Sequence, residues 1–376
     1  MSPVPLHCDH YLQGRCRSCT LLETPYEQQL KNKETELYDL LDPLHPQERF
    51  PAVSGPLTAF RNKAKMAVIG SDRGILLGLK NESGEAVDLC DCPLYPESMQ
   101  ELLRGIRRWI GEAGLSPYRV DKKRGEAKFV LLTRSSRDEY LLRLVMRSRE
   151  QLPQIRIALP GLLEAFPRIK VVSVNFQPLH MARLEGEEEI VLTEAQAVEE
   201  SFNGIPLFIR PGSFFQTNPE VASALYRQAG EWAGSPESVW DLFCGVGGFG
   251  FHCAHAAGKL TGIEIVPEAI ECAWESACRL GWEDVRFQAL DSGSFASDET
   301  PELLVVNPPR RGIGKELAQR LNAAAIPVII YSSCNAHSLA HDLALMENYR
   351  VEKVRLFDMF PHTEHYEVLV KLTRNR

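Results

Sequence analysis

The second half of this chain alternates short apolar runs with helical patterns, and few folds accommodate that alternation. From Ile205 onward the pattern is regular. Val239–Phe243 reads as a buried strand, followed by a glycine-rich turn and a helix. Leu260–Ile265 is the next strand, with a helix over Pro267–Leu280. Val285–Leu290, Leu303–Val306 and Pro327–Tyr331 follow as strands, with helices at Lys315–Ala325 and Ala336–Met346. Arg350–Phe357 and Tyr366–Leu372 close the chain as two more strands. Strands alternating with helices predict a doubly wound α/β sheet, with its ligand beyond the carboxyl ends of the strands.

With 376 residues the chain suits two domains, predicted at 1–205 and 206–376. The first is expected to be α+β. It begins with cysteines and turn-rich stretches such as Val53-Ser54-Gly55-Pro56, then mixes basic segments with strand-like runs such as Lys170–Phe176. No apolar run reaches the roughly 18 residues that span a bilayer. The opening MSPVPLHCDH has no charged-then-apolar signal pattern. A cytoplasmic enzyme is therefore expected, in which ten cysteines read as thiols, metal ligands or a nucleophile before disulfides.

The net charge of −8 speaks against strong non-specific nucleic-acid binding, but it is unevenly spread. Residues 101–150 hold 13 Lys/Arg against 7 Asp/Glu, whereas residues 181–200 hold one Arg against seven Glu. A basic stretch on an acidic body fits local phosphate capture, and a solvated charged surface fits equally well.

The run from Asp241 to Gly250, DLFCGVGGFG, joins the first strand of the alternation to its helix. Gly245 and Gly247 permit a tight turn and close approach of a ligand to the backbone. Glu264 ends the next strand, where a carboxylate accepts both hydroxyls of a ribose. That arrangement serves a nicotinamide dinucleotide and a methyl donor equally. The corner Asn307-Pro308-Pro309-Arg310, after the fourth strand, favours the methyl donor, because such a corner grips a planar acceptor.

Cys334 ends the fifth strand in Tyr331-Ser332-Ser333-Cys334-Asn335. Carbon 5 of a pyrimidine reacts with a sulfonium methyl once a thiolate has added at carbon 6, and a base must later remove the carbon-5 proton. Cys334 fits the nucleophile. Its place at a helix N-terminus predicts a depressed thiol pKa. Cys253, Cys272 and Cys278 lie inside elements and read as structural. For the base, the run FPHTEHYE crowds His362, Glu364, His365 and Glu367 into one turn, with Glu367 opening the last strand. A surface turn with satisfied histidines accounts for the same residues.

Cys8, Cys16 and Cys19 lie close together, and Cys90-Asp91-Cys92 supplies a distant partner. Four thiolates suit zinc or an iron–sulfur cluster, and spacing does not choose between them or between Cys90 and Cys92.

Taken in order, the cysteine spacing CxxxxxxxCxxC, FRNKAK (Phe60–Lys65), CPLYP, SFFQTNP (Ser213–Pro219), DLFCGVGGFG, NPPRRG, YSSCN and FPHTEHYE resemble the RNA uracil-5-methyltransferase family across essentially the whole chain. The chain is most similar to the short bacterial form acting on 23S ribosomal RNA, because no TRAM domain precedes the cysteines. The resemblance implies a class I, Rossmann-like, seven-stranded methyltransferase domain behind an α+β domain carrying a [4Fe-4S] cluster on Cys8, Cys16, Cys19 and Cys92. It implies S-adenosylmethionine as donor, held by Gln216, Phe243, Glu264 and Asn307, where many relatives have Asp at the last position. Cys334 is the implied nucleophile and Glu367 the implied base. The implied product is 5-methyluridine in a single-stranded or hairpin-loop region of 23S RNA, with no obligate protein partner. Since the thiolate must reach carbon 6 from the base face, the uridine has to be unstacked. Arg61, Asn62, Lys63 and Lys65, and Lys122, Lys123, Arg124 and Lys128, are candidates for holding phosphates. Three rivals remain from the residues: a base-amino methyltransferase with Cys334 structural, a cytosine-5 enzyme, and an iron–sulfur RNA-binding protein whose methyltransferase fold is inert.

Overall fold

The computed structural model describes residues 6–71, 74–180, 184–256, 258–292 and 299–375. The chain forms two compact units, one within residues 6–19 and 57–200, the other within 20–56 and 201–375. The expected division at 205 and 206 therefore misplaces residues 20–56. The helix Tyr26–Leu41 fully buries Leu37 and Leu41 in the core of the C-terminal unit, in the cluster that holds Tyr331, Leu339 and Leu356. The strand Glu48–Val53 then pairs in parallel with Tyr349–Phe357, setting Glu48 beside Lys353. No local pattern announces such a partnership, because the ladder is made with residues some three hundred positions away.

The C-terminal unit is built on one sheet whose strands lie in the order 48–53, 349–357, 367–374, 328–333, 303–306, 238–242, 259–264, 285–289. Among the described residues it has eight strands, one more than the expected seven, because 48–53 adds to the edge. The doubly wound core is as expected from the alternation: 238–242 lies between two parallel neighbours, 259–264 and 303–306. Leu303–Val306 is buried at every position, the signature of a strand covered on both faces. The last strand, Glu367–Arg374, is antiparallel to both its neighbours.

The other unit carries a seven-stranded sheet in the order 86–88, 74–80, 63–71, 127–134, 140–146, 169–176, 188–191. The helix Glu97–Glu112 buries Met99, Leu102, Leu103, Ile106 and Ile110, spaced by three and four residues, against one face of this sheet.

Its charge distribution differs from the expected local basic surplus. Arg143 is buried between Glu185 and Glu189, Arg147 pairs with Glu126, Arg149 with Glu188, and Arg137 with Glu199. The acidic stretch after residue 184 thus pairs with three arginines of the basic stretch, Arg137, Arg143 and Arg149. A charge count along the chain cannot see this, because the pairs form between strands and loops distant in sequence. Lys128 is also inside, its Nζ donating to Gln177 and, at 2.5 Å, to the Leu179 carbonyl. Asn62 is buried, and burial pushes the Lys63 ammonium down to about 8. Lys122, Lys123 and Arg124 are exposed. Arg104, Arg107 and Arg108, on the helix Glu97–Glu112, line a cavity of about 440 Å3 that no motif signalled.

Candidate active site

Three parallel strands end side by side at the glycine-rich turn. The register sets Leu242 beside Ile263 on one side and Val306 on the other. Phe243, Glu264 and Asn307 are therefore the next residues along one carboxyl edge. The Asn307 N–H donates to the Leu242 carbonyl at 3.4 Å. Phe243 takes a left-handed φ of 62° with its N–H on the Ser292 hydroxyl, 3.1 Å away.

Glu264 closes this edge. One carboxylate oxygen accepts from the Gly245 N–H at 3.1 Å and the other from the Val266 N–H at 3.0 Å. Gly245 has φ 54° and open space where a Cβ would stand, so a ligand can meet its backbone directly. Gly247 has φ 90°, and a Cβ there would fall 2.5 Å from the Phe251 ring. One glycine opens the turn to a ligand and the other lets the helix Gly248–Cys253 close behind it. Asp241 is buried beneath, accepting from the Gly250 N–H at 2.8 Å, and burial pushes its carboxyl up to about 8.

Gln216 comes from the loop ahead of the helix Pro219–Ala233, whose N-cap is Asn218. It is 3% exposed. The same loop is tied to the helix that follows Glu264, the Gly212 N–H donating to Glu268 at 3.0 Å. Gln216 is thus held on a loop anchored beside the Glu264 edge.

Cys334 and Glu367 meet on the neighbouring strands. Val328–Ser333 pairs with the last strand in antiparallel register, ending with Ser333 beside Val368. One further step places Cys334 opposite Glu367, and residues so placed have Cβ atoms about 5 Å apart. Burial is the first cause pushing the Cys334 thiol up to about 11, and Glu367 adds to it, while Arg310 acts the other way. Burial pushes the Glu367 carboxyl up to about 8, against the Ser332 hydroxyl. The expected depression of the thiol pKa is therefore reversed. Cys334 precedes the N-cap of the helix Ala336–Ala344, and the side chain of that cap, Asn335, accepts from the His337 and Ser338 N–H groups. The first-turn donors face Asn335 rather than the sulfur.

Asn335 also joins the two halves of the site. Its Nδ2 donates to the Arg310 carbonyl at 3.1 Å, and the Ser338 hydroxyl donates to the same carbonyl at 3.1 Å. The Asn307–Arg310 corner is thereby fastened to the turn that carries Cys334. A cavity of about 470 Å3 opens there, lined by Cys334, Arg310, His337, Lys33, His365 and Tyr366 among others. It belongs wholly to the C-terminal unit. The contribution of the helix Tyr26–Leu41 to it was invisible in the sequence. His362, by contrast, is buried with its backbone N–H on Gln29.

In the other unit Cys8, Cys16, Cys19 and Cys92 line one cavity of about 160 Å3 with Arg61 and Lys65. Cys90, two residues from Cys92, is instead in the hydrophobic core. Burial and its neighbours Cys92, Cys16 and Cys8 push the Cys19 thiol up to about 12. Among the described residues no three His, Cys, Asp or Glu side chains close on a point that would hold one metal ion.

A family described as tRNA (uracil-5-)-methyltransferase matches residues 184–375. The protein named 23S rRNA (uracil(747)-C(5))-methyltransferase RlmC from Shewanella amazonensis is 55% identical over 98% of this chain and 98% of its own length. The protein of the same name from Shewanella loihica is 57% identical over 98% and 99%, and that from Photorhabdus laumondii 54% over 98% and 100%. The crystal structure of Pyrococcus abyssi tRNA (uracil-54, C5)-methyltransferase in complex with S-adenosyl-L-homocysteine is similar with a TM-score of 0.80 and 26% identity, covering 94% of this chain and 85% of that one.

Proposed function

The chain belongs to the tRNA (uracil-5-)-methyltransferase family, and on that premise we propose that it moves the methyl group of S-adenosylmethionine to carbon 5 of a uridine in 23S ribosomal RNA. The names of its relatives specify the uridine at position 747, and we assign this chain the same target. No helix among the described residues is long and apolar enough to cross a membrane. We place the enzyme in the cytoplasm, where its RNA is made.

The observation that carries the reading is the register that ends with Ser333 beside Val368, which makes Cys334 and Glu367 the next residues, one strand away from the Asn307 edge. Glu264 takes the donor's ribose hydroxyls, the Phe243 ring and Gln216 flank the donor, and Asn307 faces its reactive end. The Cys334 sulfur bonds to carbon 6, and the carbon 5–carbon 6 electron pair moves toward the carbonyl at carbon 4. Carbon 5 then takes the methyl as the donor's carbon–sulfur bond breaks, leaving S-adenosylhomocysteine. Glu367 accepts the carbon-5 proton, the double bond re-forms, and the Cys334 thiolate leaves. In the resting site both groups keep their protons at neutral pH, given their pKa values near 11 and 8. The donor's positive sulfonium favours the ionised form of each, so loading the donor lets both protons pass to solvent, leaving a thiolate to attack and a carboxylate to take the carbon-5 proton.

A base-amino methyltransferase needs no thiol adduct, which makes the adduct the deciding measurement. Glu367→Gln incubated with donor and RNA should yield a slow band on denaturing gels that carries the labelled methyl. Cys334→Ala should yield neither band nor product. A Cys334→Ala protein that still methylates uridine would refute the mechanism.

For Cys8, Cys16, Cys19 and Cys92 we propose a [4Fe-4S] cluster. A cubane takes one thiolate at each iron, and these four thiols line one cavity. A zinc ion would draw all four to one point. When bound, the cluster supplies a covalent staple between the segments 8–19 and 92. Arg61 and Lys65 line the same cavity, where they would face its negative charge.

A further inference from the structure

Glu367 follows a loop, residues 358–366, that lies in no strand and bonds the sheet edge through the Asp358 N–H, which donates to the Val53 carbonyl at 2.8 Å. Yet a base must be held within a fraction of an ångström of the proton it takes. The Leu21 N–H on the His362 carbonyl and Asn218 Nδ2 on the Met359 carbonyl hold it too, but its side-chain anchors converge from the helix Tyr26–Leu41. Lys33 reaches into it with a side chain only 3% exposed, its Nζ 2.6 Å from Asp358 Oδ1. The same ammonium donates to the Phe360 carbonyl at 3.3 Å and the His365 carbonyl at 3.1 Å. One cation thus binds the start, the middle and the end of the loop, two residues short of Glu367. The Tyr26 hydroxyl donates to the other Asp358 oxygen at 2.7 Å, so that the fully buried carboxylate is engaged on both sides. Gln29, one turn before Lys33, accepts from the N–H of His362, which has a left-handed φ of 68°.

A merely structural ion pair would not need this geometry. Two carbonyls converge on the ammonium besides the carboxylate, and the loop they belong to leads directly into the active strand. A buried pair is weak evidence for stability, since desolvation offsets much of its attraction, and specificity of one arrangement is the better-attested use.

We propose that Lys33, clamped by Asp358 and Tyr26, is the positioning residue that sets Glu367 for removal of the carbon-5 proton. The inference rests on the reading of Glu367 as that base. Lys33 itself touches no reacting atom. Its loss leaves the donor edge at Glu264 and Asn307 untouched and loosens the step in which Glu367 acts.

The test uses the full chain with donor and substrate RNA. Lys33→Met leaves Asp358 buried without its cation and can unfold the protein, so Lys33→Met/Asp358→Asn, which removes both charges and keeps the packing, is measured beside it. In the double variant the donor dissociation constant should stay within about twofold of the parent and the covalent RNA adduct should form at a similar rate. Its release should slow by tenfold or more, so that methylated adduct accumulates on denaturing gels, and Lys33→Arg should release faster than the double variant. Release at the parent rate in the double variant overturns the proposal, as does an equal fall in donor binding, attack and release. If Glu367→Gln traps no adduct, the base assignment fails and this inference falls with it. If Glu367→Gln traps one and the double variant does not, this inference alone is refuted.

Discussion

Cys334 stands opposite Glu367, one step beyond the last paired residues Ser333 and Val368. Burial raises the cost of ionising both, and Glu367 adds to the cost at Cys334. If they are the proposed nucleophile and base, a pair that is protonated at rest on both sides is a safe one. The thiol is not exposed to oxidants as a thiolate, and the carboxylate is not buried as a bare charge until the substrate complex demands it.

Alkylation of Cys334 in the free protein should consequently be slow at neutral pH. With the thiol near 11, about one molecule in ten thousand is thiolate at pH 7. The rate with iodoacetamide, followed by peptide mass spectrometry, should rise close to tenfold per pH unit from 7 to 10. A plateau below pH 8 would show a thiol lowered by its helix after all.

Glu264→Ala should weaken the donor about 10- to 150-fold, because two ribose hydroxyls lose a charged acceptor worth about 1.5–3 kcal/mol. The substitution also frees the Gly245 and Val266 N–H groups. Glu264→Gln retains an acceptor for one of them and should fall between. Calorimetry with S-adenosylhomocysteine measures both, and an unchanged affinity in Glu264→Ala would remove the carboxylate from the site.

Sequence reasoning reached this edge well because the information is local. The glycine turn, Glu264 and Asn307 each follow a strand whose apolar run is visible, and parallel register then aligns their ends automatically. The places of Cys334 after one strand and of Glu367 at the start of another were legible too, whereas the residues alone left their roles open and the resemblance supplied them. Lys33 was not, nor was the helix that carries it, since their importance lies in contacts with residues near 360. A lysine on an amphipathic helix reads as solvent-facing until the partner that buries it is known. The thiol pKa went astray chiefly through burial, which a position after a strand does not reveal, and Asn335 takes the first-turn donors besides.

The choice between Cys90 and Cys92 can be settled with iron. Protein purified without oxygen should be brown and hold about four irons per chain. Cys90 lies in the hydrophobic core whereas Cys92 lines the thiol cavity. Cys90→Ala should keep the iron and Cys92→Ala should lose it. Stoichiometric zinc without sulfide would exclude the cluster.

The raised carboxyl of Glu367 also dictates how stability responds to pH. Its ordinary value is 4.5 and burial lifts it to about 8 in the folded protein. Between those values the folded state keeps a proton that the unfolded state releases, so folding takes up a proton and stability falls as pH rises. The contribution is fully present below pH 4.5 and is lost through pH 8. Asp241, also lifted to about 8 by burial, adds to the same trend. Glu367→Gln replaces the protonated carboxyl with an amide of the same shape that never has to ionise. The variant should therefore match the parent near pH 4 and exceed it at pH 9, by on the order of a few kcal/mol. Thermal melts across pH 4–9 measure this directly. A variant less stable than the parent at pH 9 would mean that the folded protein stabilises the Glu367 carboxylate. The resting pair would then be ionised rather than neutral.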